Sequence, residues 1–200
     1  MVISHWVVMN SVATTRDNTL LQATAATEPE DLYRSIGCNY PKFFKMDKLC
    51  KWAWIGAEYL FNNSNTLYQN IDTNKIAVVL GTAHGCIDVD KRYHDSLPMA
   101  SPVLFVYTLP NIMLGELCIR HGFKGEQLCT VSDTFDAQEL FFTVQDIMAT
   151  NHMDACLCGW VDATESRHDV VLFWVTKGKE GLPFTAAILQ ELYHWQDFRK

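Results

Sequence analysis

The spacing of apolar and polar positions divides the chain into alternating short strands and helices. Val2–Met9 is an apolar run rich in β-branched residues and predicts a strand. Thr14–Glu30 is polar and contains Pro29, which predicts a loop leading into a short helix near Asp31–Ile36; Gly37 to Pro41 reads as a turn. From Met46 the period becomes helical, with Met46, Leu49, Cys50, Ala53, Ala57, Leu60 and Phe61 on one stripe and Lys48 and Lys51 opposite. Asn62-Asn63-Ser64 stops that helix. Lys75–Leu80 predicts a buried strand that ends in the small-residue turn Gly81-Thr82-Ala83-His84-Gly85. A helix over Asp88–His94, a loop bracketed by Pro98 and Pro102, and a helix over Leu109–His121 follow. Then come a strand at Glu126–Ser132, a helix at Phe135–Thr150, and strands at Ala155–Val161 and Val170–Thr176. A last helix over Pro183–Phe198 carries Phe184, Ile188, Leu192, Trp195 and Phe198 on one stripe, with Pro183 in its first turn. This alternation argues for a layered α/β domain.

Composition narrows the class. Of 200 residues, 48% are apolar and 20% charged, which excludes a disordered or coiled-coil chain. Sixteen basic against 23 acidic residues give a net charge of −7, and no Lys/Arg run suggests a nucleic-acid groove. No apolar run approaches the ~20 residues of a membrane helix. The seven cysteines are odd in number and irregularly spaced, and Met1–Trp6 lacks the basic and apolar regions of a secretory segment, so a reducing cytoplasm is the expected location. Cys156-x-Cys158 is the one tight pair. Without a second pair or histidines at ligand spacing it reads as two small hydrophobes on one strand face, and no metal or cofactor is expected. Phosphate-binding, dinucleotide, nucleophile-elbow and zinc-protease motifs are all missing.

The residues do carry a resemblance. Lys45-Met46-Asp47-Lys48, Val79-Leu80-Gly81-Thr82-Ala83-His84-Gly85, Ser101-Pro102 and Thr108-Leu109-Pro110-Asn111-Ile112-Met113-Leu114-Gly115 occur in that order. They lead into Ile119-Arg120-His121-Gly122-Phe123-Lys124-Gly125 and Leu157-Cys158-Gly159-Trp160-Val161-Asp162-Ala163. Over about residues 40–163 this succession resembles the N-terminal half of β-ketoacyl-acyl-carrier-protein synthases. In particular it resembles the short ketosynthase-like and chain-length-factor-like proteins of bacterial aryl-polyene and flexirubin-type pigment clusters. The resemblance implies a three-layer half of a thiolase-type fold, with a mostly parallel five-stranded sheet flanked by helices, and a single domain over residues 1–200.

Active relatives hold a cysteine nucleophile where a strand turns into a helix. Ungapped counting places Thr134 there, with Ser132 and Asp133 beside it and Asp136 next along. A threonine hydroxyl is a weak nucleophile without an adjacent base, and flanking carboxylates oppose an oxyanion. The family's two catalytic histidines lie in its C-terminal half, and His168 and His194 sit in no motif like theirs. The resemblance therefore implies a non-catalytic subunit, chain-length-factor-like or scaffolding, in fatty-acid or polyketide-type synthesis. The alternative is a residual acyltransferase or ketoacyl synthase using Ser132, Thr134 or a cysteine. Cys129 reads as core. The helix after Thr134 has one apolar stripe (Ala137, Leu140, Phe141, Val144, Ile147, Met148), as expected of a helix facing one sheet and solvent. The strand before Thr134 is expected to be an edge that pairs with a partner, the interface involving Leu128, Thr130, Ser132, Leu109, Met113 and Phe142. The partner would be a second copy or a complete ketosynthase. An acyl carrier protein could also dock through Lys42, Lys45, Lys48 and Lys51.

Overall fold

The computed structural model describes residues 1–10, 14–17, 19–22, 28–62 and 64–194. In chain order these form strands β1 (Val2–Met9), β2 (Thr14–Arg16) and β3 (Thr19–Gln22), helices α1 (Pro29–Ile36) and α2 (Lys48–Phe61), and strand β4 (Ile76–Thr82). Helices α3 (Ile87–Asp95), α4 (Pro102–Val106) and α5 (Ile112–His121) precede β5 (Gln127–Val131) and α6 (Ala137–Thr150). Strands β6 (Ala155–Ala163), β7 (His168–Thr176) and β8 (Leu182–Pro183) and helix α7 (Ala186–His194) complete the set.

The strands join in one sheet of order β3-β2-β1-β7-β6-β4-β5, with β8 paired to β1. β4 runs parallel to both β5 and β6, whereas β7 is antiparallel to β6 and to β1. In the central five strands, β1, β6, β4 and β5 therefore point one way and β7 against them. The sheet as a whole is mixed, because β6 and β7 form a hairpin closed by Thr164 N–H donating to the Arg167 carbonyl at 2.9 Å. The parallel pairs need crossovers, and α5 and α6 supply them.

Strands β1, β4, β6 and β7 each feed two cores, one on either face of the sheet. From β6, Ala155, Leu157, Val161 and Ala163 pack with α2 and α5, while Cys156, Cys158 and Trp160 pack with α6 and α7. The two thiols are thus small hydrophobes inside the second core. Helices lie on both faces, which makes three layers. Gly159 breaks the alternation at φ +150°, where an added Cβ would lie 2.0 Å from the Val171 carbonyl oxygen.

Several elements depart from the pattern-based expectation. The segment read as a loop contains the β2–β3 hairpin, because β1 offers its free edge to it: Val7 pairs with Arg16 and Met9 with Thr14. Pro183 pairs with Val2 in β8 instead of opening the last helix; Trp195 and Phe198 lie outside the described residues, as does Asn63. Asn62 ends α2 in the left-handed conformation at φ 55°. Residues 102–106 form a short helix capped by Ser101 Oγ, which accepts from Leu104 N at 3.4 Å. α2 is buried nearly all round, where one apolar stripe was expected. One side rests on β1, β6 and β7, and α5 and an aromatic cover enclose the rest. In that cover Tyr33 stacks on Phe43 at 4.4 Å, Phe43 meets Trp54 at 5.2 Å, and Tyr40 stacks on Trp54 at 5.6 Å.

Candidate functional site

The C-terminal ends of the parallel strands β4, β5 and β6 gather the residues of interest at one edge, the usual site of chemistry in open α/β sheets. β5 passes through Ser132, Asp133 and Thr134 into α6. Ser132 N–H donates to the Thr82 carbonyl at 3.1 Å, which holds this turn against the end of β4. Thr134 and Asp133 are exposed. Ser132 Oγ donates to the Thr134 carbonyl at 3.1 Å, so its hydrogen bond goes to backbone and not to a base. Asp136 caps α6: its Oδ1 accepts from Gln138 N at 2.8 Å and Glu139 N at 2.9 Å. Two of the first amides of α6, which would otherwise favour negative charge at the helix start, are thereby occupied by the chain's own carboxylate. A cleft of about 20 Å³ lies beneath, lined by Thr130, Ser132, Phe135 and Trp160 among others, and is large enough for about one water.

β5 is the outermost strand of the sheet. Leu128 and Val131 are exposed on it, as are Phe142 on α6 and Leu109 before α5. Thr130 and Ser132 are half-buried. Met113 departs from expectation: it is 0% exposed, because α5 turns that face into the core shared with α2. It cannot meet a partner. Exposed apolar side chains instead crowd the segment before α5, at Leu97, Met99 (88% exposed), Val103, Phe105 and Val106. Cys129 is partly buried against the α2 core, and burial pushes its thiol up to about 11.

Beside the β5 turn lies an arrangement that the sequence reading did not single out. Asp162, buried at the end of β6, accepts through Oδ1 from Thr82 Oγ1 at 3.1 Å, Ala83 N at 3.1 Å and His84 N at 2.8 Å. Its Oδ2 meets His84 Nδ1 at 2.8 Å. Burial pushes this carboxyl up, but hydrogen bonds from the His84 amide and ring and from Thr82 outweigh it and hold Asp162 below the usual range. Arg167 Nη2 donates to His84 Nε2 at 3.3 Å, which fixes the hydrogen on Nδ1. The network ties the loop after β4 to the β6–β7 hairpin. Its one signal in the sequence is an acid inside an apolar strand.

No family model matches the sequence. Among curated proteins, the 3-oxoacyl-[acyl-carrier-protein] synthase 2 of Synechocystis sp. is 22% identical over 124 residues, covering 60% of this chain and 30% of that protein. Among solved structures, the ishigamide ketosynthase/chain length factor superposes with a TM-score of 0.66 at 12% identity, over 88% of this chain and 62% of that one. The structure of the ketosynthase ApeO in complex with its chain length factor ApeC, from Xenorhabdus doucetiae, matches with a TM-score of 0.61 at 13% identity over 100% of this chain and 93% of that one. The chain has a ketosynthase-like, thiolase-type fold. It spans about a third of its curated relative and under two thirds of the first of these structures.

On this ketosynthase-like scaffold the basic cluster loses its distinctness. Lys42 pairs with Glu116 at 2.7 Å, Lys48 with Glu28 at 3.2 Å and Lys51 with Glu30 at 2.5 Å. Three of the four lysines expected to greet an acidic carrier are thus engaged by the chain's own carboxylates. Among the described residues no helix is long and apolar enough to cross a membrane.

Proposed function

We propose that this chain is a non-catalytic ketosynthase-like subunit, chain-length-factor-like or scaffolding, that pairs with a ketosynthase-type partner in acyl-chain synthesis. One observation carries the reading. The strand-to-helix turn presents Thr134 in front of a helix start already capped by Asp136, while the strand leading to it is an open edge. Such a turn offers neither an activated nucleophile nor a free oxyanion site. An unpaired edge flanked by exposed Leu128, Val131 and Phe142 favours strand addition by a partner. Thr134 then stands at the position where active relatives keep cysteine, and residues 1–200 act as one half-thiolase unit. The partner is a second copy of this chain or a complete ketosynthase. An acyl carrier protein meets the assembled pair, not a dedicated basic patch on this subunit.

A pairing of this kind buries at least about 1,000 Å² in total. Size-exclusion chromatography with light scattering should show the wild type as a dimer, alone or with a co-expressed ketosynthase. Leu128→Lys and Phe142→Lys, made separately, should shift at least one of these to monomer with an unchanged circular dichroism spectrum. A monomer at tens of micromolar that also ignores a ketosynthase would remove the partner role. Robust decarboxylation of a malonyl-carrier substrate by the purified protein would replace it with the catalytic alternative.

A further inference from the structure

Only one side of the β5 backbone is used within the chain. Ser132 N–H donates to the Thr82 carbonyl at 3.1 Å, and the Glu126 carbonyl accepts from Val78 N–H at 2.8 Å, so the even-numbered residues of this outermost strand face β4. Backbone groups alternate in direction along a strand. Those of Gln127, Cys129 and Val131 therefore point outward, where a further strand would sit. Apolar side chains flank that line: Val131 is 64% exposed, Phe142 59% and Leu128 39%.

The charges around the line are almost all of one sign. Residues 125–166 contain no Lys or Arg. Glu126 stands at one end of β5 and Asp133 at the other, both exposed. On α6, Glu139 and Thr143 line the cleft over Thr130 and Ser132. Phe142 and Asp146 follow Glu139 at helical spacing on the same side, with Phe142 between the two acids. None of these four carboxylates forms an ion pair among the described residues. Lys124, just ahead of β5, is the one cation adjoining this stretch on its N-terminal side.

A second copy is a poor occupant of such an edge. A two-fold pair presents one patch to itself. With β5 against β5, the two α6 helices flank the seam on one face of the joint sheet and run in opposite directions. Glu139 of each copy then faces Asp146 of the other, and the acids at the ends of β5 add to the repulsion, which Lys124 offsets only in part. At about 0.15 M salt the Debye length is about 8 Å, so charges brought into contact are little screened. A partner bearing Lys or Arg about the same line meets attraction instead, and charge complementarity of this kind selects one partner against another.

We infer, on the pairing role proposed above, that the β5 edge takes a different protein and not a second copy: one that adds a strand along Gln127–Val131 and sets Lys or Arg opposite Glu139 and Asp146. A charge-reversed copy of the full chain, carrying Glu126→Lys, Asp133→Lys, Glu139→Lys and Asp146→Lys together, serves as the basic partner. In analytical ultracentrifugation at about 50 mM NaCl, wild type and this copy should form a mixed dimer at least about a hundredfold tighter than either forms with itself. Raising NaCl to about 500 mM should narrow that difference at least about tenfold. A neutralised copy (Glu126→Gln, Asp133→Asn, Glu139→Gln, Asp146→Asn) keeps the test open if the reversed copy does not fold, and should self-associate at least about tenfold more tightly than wild type. Val131→Pro in both members removes an outward N–H from the edge and should abolish the mixed dimer. Wild type that pairs with itself as tightly as with the reversed copy, whatever the salt, would overturn the charge selection and leave the pairing edge standing. Association that survives Val131→Pro would overturn the location. No association of the mixture or of the neutralised copy would overturn the edge itself, and the pairing role with it.

Discussion

Acid should weaken this protein well above the range in which carboxylates titrate, because two histidines are held neutral inside it. His168 stacks on Trp52 with ring centres 3.6 Å apart, and burial brings it down to about 4. His121, wedged between Tyr68 and Phe61, is brought down to about 3 by burial and the Arg120 charge. In the unfolded chain both titrate near pH 6.5. As pH falls below 6.5 the unfolded state takes up two protons that the folded state refuses, so stability falls with pH and stops falling only at the folded values. A full proton is worth about 1.4 kcal/mol per pH unit, and with uptake half complete at pH 6.5 this gives about 1.6 kcal/mol per histidine, and about 3 together, between pH 6.5 and 5. His5 is lowered by burial and adds in the same direction. Asp47 and Asp169, raised by burial, oppose the trend toward the acid side of the window. Urea unfolding by circular dichroism at half-unit pH steps measures the slope. His168→Gln and His121→Gln should each reduce it by about one proton, whatever they do to stability at pH 7. A flat profile from pH 6.5 to 5, or NMR titration of both imidazoles near 6.5, would refute the reasoning.

Two further predictions concern the framework around the strand ends. Asp162→Ala strands the Thr82 hydroxyl and the Ala83 and His84 amides and should cost about 3–5 kcal/mol, whereas Asp162→Asn keeps an acceptor and should cost about 1–2 kcal/mol; equal urea midpoints for the two would contradict this. Gly159→Ala drives a Cβ to 2.0 Å from the Val171 carbonyl oxygen at φ +150° and should cost more than about 3 kcal/mol or abolish soluble expression. Gly115→Ala, in the α5 interior with no neighbour within 4 Å of the added Cβ, should raise stability by about 0.5–1 kcal/mol in the same assay.

Local pattern was enough to place the principal strands and helices and to put Cys156 and Cys158 inside the core, because residues two or four apart on one element share a face. It also marked the turn at Ser132, Asp133 and Thr134, where an apolar run changes period. Pattern could not show what a neighbour does to a second face. The polar segment 14–22 becomes a hairpin only because β1 presents an unpaired edge, and α2 loses its solvent side only because Tyr33, Tyr40 and Phe43 fold over it. Closeness in sequence to Leu109 suggests a surface position for Met113, yet α5 packs Met113 inward against α2 while Leu109, ahead of the helix, stays outside. Both polar networks join distant parts of the chain: Glu58 to Arg120 across 62 residues, and His84 to Asp162 across 78. In the sequence each of these acids appears only as a charge among apolar positions. What makes them stable is a partner delivered by packing, since a buried charge persists only where the fold brings donors to it.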